Sequence, residues 1–403
     1  MRANTDILIA GGGMVGAALA AALRTTGLHV TVIEAVPPRA PAQPSFDDRS
    51  TALAWTSRRI LEALDVWPAL AKDAHPIEHV HVSQQRRLGV TRLHAAEENL
   101  PALGYVVPNR ALGHALVDAM QNAGNVEFLA PAKVAGIRQD GRSAVALLES
   151  DGKQHQITGR LLVVADGARS PLREMLGVGA RHWNYGQSAI VCNLETERDH
   201  GRVAYERFTP EGPMAMLPLS ARREALVLVE RDDMAGDVAA MDDEAFLARV
   251  QKRFGTRLGR IERAGERAVY PLALVTAREQ VAGRAVILGN AAHSLHPIAG
   301  QGFNLSLRDV AVLAEVVAAN AGDPGAPDVL SEYVRWRRRD QRNVVAFTDL
   351  LNRLFGIPFG LAAHARGLGL LGMDLFPALR REFSRHAMGR AGKLPRLARG
   401  LPP

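Results

Sequence analysis

The chain has 403 residues, too many for one simple hydrophobic core, and this length predicts about two domains. With 47% apolar and 23% charged residues, its composition is that of a globular enzyme. Cys192 is the only cysteine, which excludes an intrachain disulfide and a cysteine-based metal cluster. The apolar run around Cys192 predicts a buried, inert thiol. No export signal precedes the first predicted strand, so a reducing, cytoplasmic compartment is expected.

The net charge of +7 is concentrated at the C-terminal end. Residues 364–403 contain eight basic and two acidic residues, so the rest of the chain is nearly neutral. The apolar stretch 355–373 is interrupted by Pro358, His364 and Arg366 and is too short to cross a bilayer. A basic tail beside an apolar patch fits an anionic membrane surface, and it fits a solubilising tail equally well. Nucleic acid is a weaker candidate, because no binding motif accompanies the charge.

The first predicted unit is a βαβ fold over residues 6–34. Its strands are expected at Asp6–Ala10 and His29–Ile33, with an alanine-rich helix at Ala17–Thr26 between them. The turn before the helix has the spacing G-x-G-x-x-G, and an acid follows 21 residues after the second glycine. This is the dinucleotide-binding fingerprint, in which the turn and the helix N-terminus hold a pyrophosphate and the acid binds a ribose. The fingerprint residues are Gly11, Gly13, Gly16 and Glu34.

Two arginines stand at helix starts in the next region. A proline-rich loop after Glu34 leads to Arg49 and then to a helix predicted from Ser57 to Trp67. Arg49 suits a cofactor phosphate or a nicotinamide, and it is equally unremarkable as a loop arginine. Arg110 lies in the first turn of a later helix, where the helix dipole disfavours a cation. That position indicates either an external anionic partner or a buried contact.

The middle of the chain predicts mostly strands. Short strands with turns at QDGR and SDGK fill residues 126–164, which is typical of a β-meander inserted in a dinucleotide fold. The strand Leu161–Ala165 ends in Asp166, at the position where open α/β sheets bind ligands. Alternation over residues 186–230 predicts a second, mostly antiparallel sheet that can cover a flat ligand. The remaining predicted elements are helices at Asp242–Phe254, Ser306–Ala319 and Val329–Leu354 and strands at His79–Gln84, Leu88–His94 and Ala285–Leu288.

Three motifs therefore stand in order: GGGMVG with Glu34, ADGARSPLR, and LGNAAHSLHPIAGQGFN. Together they resemble the FAD-dependent aromatic hydroxylases typified by p-hydroxybenzoate hydroxylase. The resemblance is strongest to the ubiquinone-biosynthesis branch with its 2-polyprenyl-6-methoxyphenol hydroxylases, which show GNAA where most of the family has aspartate. The resemblance implies that FAD is bound by Gly11, Gly13, Met14, Val15, Gly16, Glu34, Arg49, Arg110, Asp166, Gly289, Asn290, Pro297, Gly300, Gln301, Gly302, Phe303 and Asn304.

The third motif also has a physical reading of its own. AGQGFN is a glycine turn that opens a helix, so its N–H groups and positive helix end would face the anionic edge of a reduced flavin. His293 and His296 flank this segment and could transfer protons, but packing histidines are the favoured interpretation. We therefore predict no catalytic side chain.

The resemblance and the pattern together imply an α/β fold. It would combine an FAD-binding Rossmann-like domain containing the inserted meander, a substrate domain on the mostly antiparallel sheet, and C-terminal helices with a basic tail. The expected boundaries are 1–75, 105–180 and 275–330 for the FAD domain, 76–104 and 181–274 for the substrate domain, and 331–403 for the C-terminal region.

For function, the resemblance implies a monooxygenase. NADPH or NADH would reduce FAD, and a flavin C4a-hydroperoxide would hydroxylate a polyprenylated phenol in ubiquinone biosynthesis. A flavin-dependent reductase or dehydrogenase acting on a prenyl lipid stays open, as does a non-catalytic flavoprotein subunit of a biosynthetic complex. Expected partners are the phenol, O2, other ubiquinone-biosynthesis proteins and a membrane surface reached through the C-terminal region, without nucleic acid. The expected location is cytoplasmic, with peripheral attachment to the inner membrane left open.

Overall fold

The computed structural model describes residues 4–38, 40, 49–85, 89–150, 152–297, 300–356, 369 and 372–403, without the side chains of 353–356. Most of the proline-rich loop after Glu34 and of the apolar stretch 355–373 lies outside the described residues. The α-helices are α1 (Met14–Ala22), α2 (Trp55–Ala63), α3 (Trp67–Leu70), α4 (Asn109–Gln121), α5 (Pro171–Met175), α6 (Asp232–Ala240), α7 (Asp243–Phe254), α8 (Gln301–Ala319), α9 (Pro327–Gly356) and α10 (Pro377–Ala387).

Three short 3₁₀ turns lie at Ala95–Glu98, Gly289–Ala291 and Leu397–Arg399. The strands are β1 (Asn4–Ala10), β2 (Val30–Ile33), β3 (Ser50–Ala54), β4 (His75–Ile77), β5 (His79–Gln84), β6 (Val90–His94), β7 (Gly104–Pro108), β8 (Val126–Leu129), β9 (Lys133–Gln139), β10 (Ala144–Ser150), β11 (Lys153–Val164), β12 (Ala180–Thr196), β13 (Val203–Thr209), β14 (Gly212–Pro218), β15 (Arg223–Arg231), β16 (Ile261–Ala264), β17 (Ala268–Ala277), β18 (Val281–Ala282), β19 (Ala285–Ile287) and β20 (His293–Ser294).

The first sheet is the predicted dinucleotide-binding sheet. Its order is β18-β19-β11-β1-β2-β8, and the strands from β19 to β8 are parallel. Successive residues of β1 point to opposite faces. Ile7 and Ile9 pack in the core that contains α1 and α8, whereas Leu8 packs in the core under the meander. Because both faces are covered, β1 is apolar and buried from Ile7 to Ala10, within the strand predicted at Asp6–Ala10.

The meander is part of this first sheet. Strand β11 pairs antiparallel with β10 from Ala144↔Gly159 to Ser150↔Lys153, and β10 pairs antiparallel with β9. The later half of β11 then runs parallel between β1 and β19. One long strand thus joins the inserted meander to the parallel core, and it carries the chain to Asp166 at its end. The predicted fold class is confirmed.

The second sheet has the order β20-β17-β12-β15-β14-β13-β5-β6, with β16 paired to β12. Its pairs are antiparallel except for β5 and β13, which run parallel. Leu226 and Leu228 of β15 pack against α7 through Phe246 and Phe254, while Val227 between them points to the opposite face. The sheet therefore has one face in a core and one face available to a ligand.

Several predicted bounds were wrong for tertiary reasons. Helix α1 ends at Ala22 rather than Thr26, and the helix expected up to Trp67 breaks at Asp65, whose φ is +58°. Helix α4 begins at Asn109 with Arg110 in its first turn, as predicted, and Val106 and Val107 before it lie in β7, paired with β3. Helix α6 was not predicted at all. A third sheet of β3, β7 and β4 was also missed.

The end of the basic tail is packed against the protein. Leu397 and Ala398 are buried in the core that contains α1 and α8. The backbone N–H of Arg396 donates to Glu315 Oε2 at 2.6 Å, and Arg59 Nη2 donates to the carbonyl of Arg399 at 3.0 Å. Of the two interpretations left open for the tail, the solubilising one therefore does not hold for these residues. Among the described helices, none has the length and apolar composition needed to cross a bilayer.

Candidate functional site

A cavity of about 740 Å³ is lined by residues of the second and third sheets, of the segments that follow strands of the first sheet, and of the C-terminal helices. A volume of roughly 300–1,000 Å³ is typical of a small-molecule site. The predicted cofactor residues that line it are Gly13, Met14, Val15, Arg49, Gly289, Asn290, Pro297, Gly300, Gln301, Gly302, Phe303 and Asn304. The structure thus brings twelve of the seventeen predicted residues to one cavity. Gly11, Gly16, Glu34, Arg110 and Asp166 do not line it.

The β1–α1 turn places a helix N-terminus at this cavity. Gly13 is the N-cap of α1, where no side chain caps the helix and the first turn has no acid. A Cβ on Gly16 would lie 1.9 Å from the carbonyl oxygen of Gly11, and one on Gly11 would lie 2.3 Å from that of Ala165. These two glycines fix the turn by close packing. The turn leaves the first N–H groups of α1 for an external anion.

Glu34 holds the same turn from the end of β2. Its Oε2 accepts from the Gly12 N–H at 2.6 Å and its Oε1 accepts from the Val36 N–H at 2.9 Å. Each oxygen keeps lone-pair capacity for a ribose hydroxyl. A second cavity, of about 390 Å³, begins at the adjacent Ala35 and extends to Gln154. Ribose binding by Glu34 stays a prediction.

Asp166 caps a short helix beside the cavity. It accepts from Ser170 Oγ at 2.6 Å and from the Leu172 N–H at 3.1 Å, and burial raises the pKa of its carboxyl. The neighbouring Arg173 is buried and donates from Nη1 to the carbonyl of Ala291 at 3.0 Å. The hydrogen bond from Arg173 therefore connects the second motif to the third motif. The sequence alone could not indicate this contact across 118 positions.

The GNAA turn of the third motif packs on α1. Gly289 has a φ of +66°, and a Cβ there would lie 3.1 Å from the Val15 side chain. This left-handed conformation and close approach favour glycine. Asn290 follows on the cavity surface and is exposed. The turn thus places an uncharged amide, with a donor and an acceptor, at the cavity surface.

We expect Asn290→Asp to retain the cofactor and to lower its midpoint reduction potential. An added negative charge beside the flavin opposes electron uptake, and a penalty of about 1–2 kcal/mol corresponds to about 20–40 mV for two electrons. Spectroelectrochemical titration of the purified holoprotein measures the shift, with the uncharged Asn290→Ser as the control. An unchanged or raised potential in Asn290→Asp would contradict this.

The start of α8 is a second helix N-terminus at the cavity. Gly300 caps it with a φ of +59°, without a side-chain cap or an acid in the first turn. Asn304, one turn later, accepts from the Ala54 N–H at 2.8 Å and from Ser57 Oγ at 2.7 Å, and donates to the Ala52 carbonyl at 2.8 Å. The buried amide therefore joins the third sheet to α8, which orients the helix toward the cavity.

The two histidines of this motif have different surroundings. His293 is buried outside the cavity lining, and its Nε2 lies 2.6 Å from Asp309 Oδ2. Arg337 Nε and Gln341 Nε2 both donate to Asp309 Oδ1, the latter at 2.9 Å. Burial alone would raise the pKa of Asp309, but the Arg337 guanidinium and the His293 ring lower it to about 2. His293 thus belongs to a buried charge network that joins the third motif to α8 and α9.

His296 lines the cavity. Its ring lies edge-on to Tyr185, with 5.3 Å between the centroids, and Tyr185 Oη donates to Asp349 Oδ1 of α9 at 3.0 Å. Burial lowers the pKa of His296 to about 4, so its imidazole is neutral at pH 7. The side chain can therefore donate or accept a hydrogen bond in the cavity without carrying charge.

The arginines predicted near the cofactor also differ. Arg49 lines the cavity, with its guanidinium carbon 4.3 Å from the centroid of the Tyr270 ring. Arg110 is exposed in the first turn of α4 and does not line the cavity. The geometry favours Arg49 for a direct ligand contact, and the role of Arg110 stays a prediction.

Apolar side chains form another part of the cavity wall. The second sheet contributes Ala189, Val191, Val227, Leu272 and Val275 to this wall. The C-terminal helical region contributes Phe347, Leu351, Met373 and Phe383. The alternation in SAIVCNLE indicated which residues of β12 share a face. Nothing in the sequence indicated that the C-terminal aromatics return to the same cavity.

Cys192, on the other face of β12, is buried as predicted, and burial raises its pKa to about 12.

The donor set fits a flat anionic dinucleotide such as FAD. Two uncapped helix N-termini can face its pyrophosphate and the electron-rich edge of its ring, and an apolar wall can cover the ring face. The model of the FAD-binding domain family matches residues 4–348. The chain belongs to this family. The predictions of FAD as cofactor and of an FAD-dependent monooxygenase are thereby confirmed.

Similar proteins carry related activities. Ubiquinone hydroxylase UbiL of Rhodospirillum rubrum is 41% identical over 98% of this chain and 93% of its own length. The 3-demethoxyubiquinol 3-hydroxylase of Escherichia coli is 34% identical over 96% of this chain and 98% of its own. In fold, the chain resembles p-nitrophenol 4-monooxygenase PnpA from Pseudomonas putida DLL-E4, with a TM-score of 0.79 and 20% identity, covering 97% of this chain and all of that one.

Proposed function

We propose that this protein hydroxylates a polyprenylated phenol in ubiquinone biosynthesis, with FAD as cofactor and NADPH or NADH and O2 as co-substrates. One oxygen atom of O2 enters the ring as a hydroxyl group, the other leaves as water, and NAD(P)H supplies the two electrons. The similarity to ubiquinone hydroxylases over nearly the whole chain supports the substrate class. The observation that carries the proposal is one cavity lined both by two helix N-termini without side-chain caps and by apolar side chains of the second sheet and the C-terminal helices.

Bound FAD would supply the oxygen activation, and the side chains of this protein would supply position and exclusion of water. The α1 and α8 N-termini would hold the cofactor, and Val191, Val227 and Leu272 would hold the phenol ring against it. With a pKa of about 4, His296 is too weak a base to remove a phenol proton. We assign it a neutral hydrogen bond to substrate or cofactor instead.

We also propose the finer features that the sequence predicted. Gly11, Gly16, Glu34, Arg110 and Asp166 would act from outside the large cavity, by shaping the turns or binding the adenosine end of FAD. The chain would divide into an FAD domain of residues 1–75, 105–180 and 275–330, a substrate domain of 76–104 and 181–274, and a C-terminal region of 331–403. Other ubiquinone-biosynthesis proteins and the cytoplasmic face of the inner membrane would be its partners.

The direct test uses the purified holoprotein and a phenol with a short prenyl chain. We expect a flavin absorbance spectrum, NAD(P)H oxidation coupled to O2 uptake, and one 18O atom from 18O2 in the product by mass spectrometry. Gly16→Ala is the cofactor-deficient control, because its Cβ would lie 1.9 Å from the Gly11 oxygen.

Three results would point elsewhere. A protein without flavin would refute the proposal. Product formation without O2 uptake would indicate a reductase or dehydrogenase. Full FAD occupancy with no NAD(P)H oxidation for any phenol would indicate a non-catalytic subunit. Deletion of the gene should also cause a prenylated phenol to accumulate, and its absence would refute the ubiquinone assignment.

A further inference from the structure

The described C-terminal helices expose large apolar side chains to solvent. Leu375, Phe376 and Leu379 are 66%, 61% and 58% exposed, and Leu350 on α9 is 60% exposed. Single exposed leucines are ordinary, but here Leu350 lies on α9, Leu379 lies on α10, and Leu375 and Phe376 directly precede α10, which makes a concentration of exposed apolar side chains in the C-terminal region. The helices contact each other through the rings of Phe347 and Phe383, whose centroids are 5.6 Å apart. This concentration marks a surface suited to an apolar partner.

Positive charge accompanies these side chains. Arg338, Arg342, Ala346 and Leu350 of α9 are exposed at four-residue spacing, so they share one face of the helix. Arg335 and Arg339 are exposed on α9, and Arg381 and Arg385 on α10. The exposed acids of the two helices are Asp328 and Glu332, in the early turns of α9, and Glu382, which lies 3.6 Å from Arg385. The surface near Leu350 is therefore apolar with a basic margin, which complements an anionic bilayer.

The same helices form part of the cavity wall. Phe347 and Leu351 line the cavity on either side of Leu350, and Phe383 lines it one turn after Leu379. Met373, which also lines it, is two residues before Leu375. The exposed apolar surface is thus continuous along the chain with the apolar lining of the cavity.

The cavity volume limits what it can enclose. Cavities of roughly 300–1,000 Å³ enclose ligands of drug size, and this one, at about 740 Å³, would have to receive a flavin ring and a phenol ring. A long polyprenyl chain would extend beyond it. Exposure of that chain to water is unfavourable in proportion to its apolar area, whereas a bilayer solvates it.

We propose that one surface of the C-terminal region, called the α9–α10 surface, docks on an anionic phospholipid bilayer. The α9–α10 surface is made of Arg338, Arg342, Leu350, Leu375, Phe376, Leu379, Arg381 and Arg385. The polyprenyl chain passes from the bilayer to the cavity alongside Phe347 and Phe383. The docking is independent of the reaction. The passage of the polyprenyl chain rests on the function proposed above, and it specifies the bilayer as the source of that substrate.

Vesicle sedimentation of the holoprotein tests the docking. We expect binding to vesicles of phosphatidylcholine with phosphatidylglycerol, weaker binding to phosphatidylcholine alone, and loss of binding as salt is raised. The triple variant Leu375→Gln, Phe376→Gln, Leu379→Gln should weaken binding about tenfold or more, because it removes the buried apolar area. The variant Arg381→Gln, Arg385→Gln should weaken binding about fivefold per arginine at low salt.

Matched controls separate the surface from general effects of charge and polarity. Arg260→Gln, Arg263→Gln removes two arginines that are each 82% exposed in the second-sheet region. Met175→Gln, Met234→Gln removes two exposed apolar side chains elsewhere, 49% and 40% exposed. Both control variants should bind vesicles like the unmodified protein. Equal losses in the controls and in the surface variants would overturn the proposal.

An activity comparison tests the passage of the chain. The surface variants should keep the rate on a water-soluble phenol and lose at least tenfold on a long-chain phenol embedded in vesicles. If the surface variants and the unmodified protein hydroxylate the embedded phenol at equal rates, the membrane route is overturned and the hydroxylase assignment stays intact. If the unmodified protein is inactive on both phenols, the proposed function alone is refuted. Concentration-dependent self-association that the triple variant abolishes, without vesicle binding, would overturn the proposal in favour of a second copy.

Discussion

Asp309→Asn is expected to destabilise the folded protein by about 3–5 kcal/mol, the usual cost of removing one partner from a buried ion pair. Asp309 is fully buried and accepts hydrogen bonds from Arg337 and Gln341, and its other oxygen lies 2.6 Å from His293 Nε2. The Arg337 guanidinium is only 4% exposed, and an amide at position 309 would no longer balance its positive charge with a carboxylate. Urea unfolding followed by circular dichroism measures the loss.

Asp340→Asn provides the matched control. It removes a carboxylate from the same arginine, since Asp340 accepts from Arg337 Nη2 at 2.7 Å and from Arg308 Nε at 2.8 Å, but its side chain is 31% exposed. Solvent screening makes its expected loss smaller. The pKa of Asp309 is lowered to about 2 in the folded state, so its contribution is present above pH 4 and declines as the pH falls toward 2. Equal stability of Asp309→Asn and the unmodified protein at pH 7 would contradict the network.

Disruption of this network at His293 should also weaken FAD binding. The network fixes His293, three residues after Asn290, to α8, so it connects the GNAA turn with the helix whose N-terminus faces the cavity. We expect His293→Gln, which cannot place its amide as the ring places Nε2, to weaken FAD binding about tenfold, or about 1.4 kcal/mol. Fluorescence titration of the apoprotein with FAD, at a temperature where circular dichroism shows the variant to be folded, separates this effect from loss of fold.

The motifs that the sequence predicted best are those whose geometry is local. The turn at Gly11–Gly16 needs glycine because each Cβ would collide with a backbone oxygen, so its spacing is visible in the chain itself. The strand before it and the helix after it follow from apolar composition over a few residues. The same holds for the end of β11 at Asp166, where an apolar strand meets a turn.

The features that were missed depend on distant pairing. Nothing near Asp309 indicates that Arg337, 28 residues later, lies against it, because that contact depends on how α8 packs on α9. The pairing of Val106 and Val107 with β3 in a third sheet was not predicted. Leu397 and Ala398 lie among basic residues that fitted a solubilising tail, yet they complete a core whose other buried residues all lie at Tyr333 or earlier in the chain. Tertiary packing decided each of these positions against the local pattern.

Two buried glutamates on β15 have different surroundings, which the sequence alone does not indicate. Glu230 accepts from Arg253 Nη1 at 2.6 Å and from Arg249 Nε at 2.9 Å. Glu224 is fully buried, and neither of its carboxyl oxygens has a hydrogen-bond partner among the described residues. Burial, and then the nearby charge of Asp199, raise the pKa of Glu224 to about 9. At pH 7 the folded protein therefore keeps this carboxyl protonated.

Glu224→Gln is expected to stabilise the protein at neutral and alkaline pH and to leave its stability near pH 4.5 almost unchanged. In the unfolded chain the carboxyl titrates near 4.5, so the unfolded state releases a proton that the folded state retains up to about pH 9. The folded state consequently loses stability as the pH rises through that window, by about 1.4 kcal/mol per pH unit, or about 3 kcal/mol at pH 7. The uncharged amide has the same shape and no such titration.

Thermal and urea unfolding of Glu224→Gln between pH 5 and pH 9 measure the effect. The variant should show a flatter pH profile and a higher Tm than the unmodified protein at pH 8. Glu230→Gln on the same strand is the opposite control, because it removes the partner of Arg253 and should destabilise by about 3–5 kcal/mol. Glu224→Leu should add further stability at every pH, since it also removes an unsatisfied buried polar group worth about 1–3 kcal/mol. A pH profile of Glu224→Gln that parallels the unmodified protein would show that the pKa of Glu224 is not raised in the folded state.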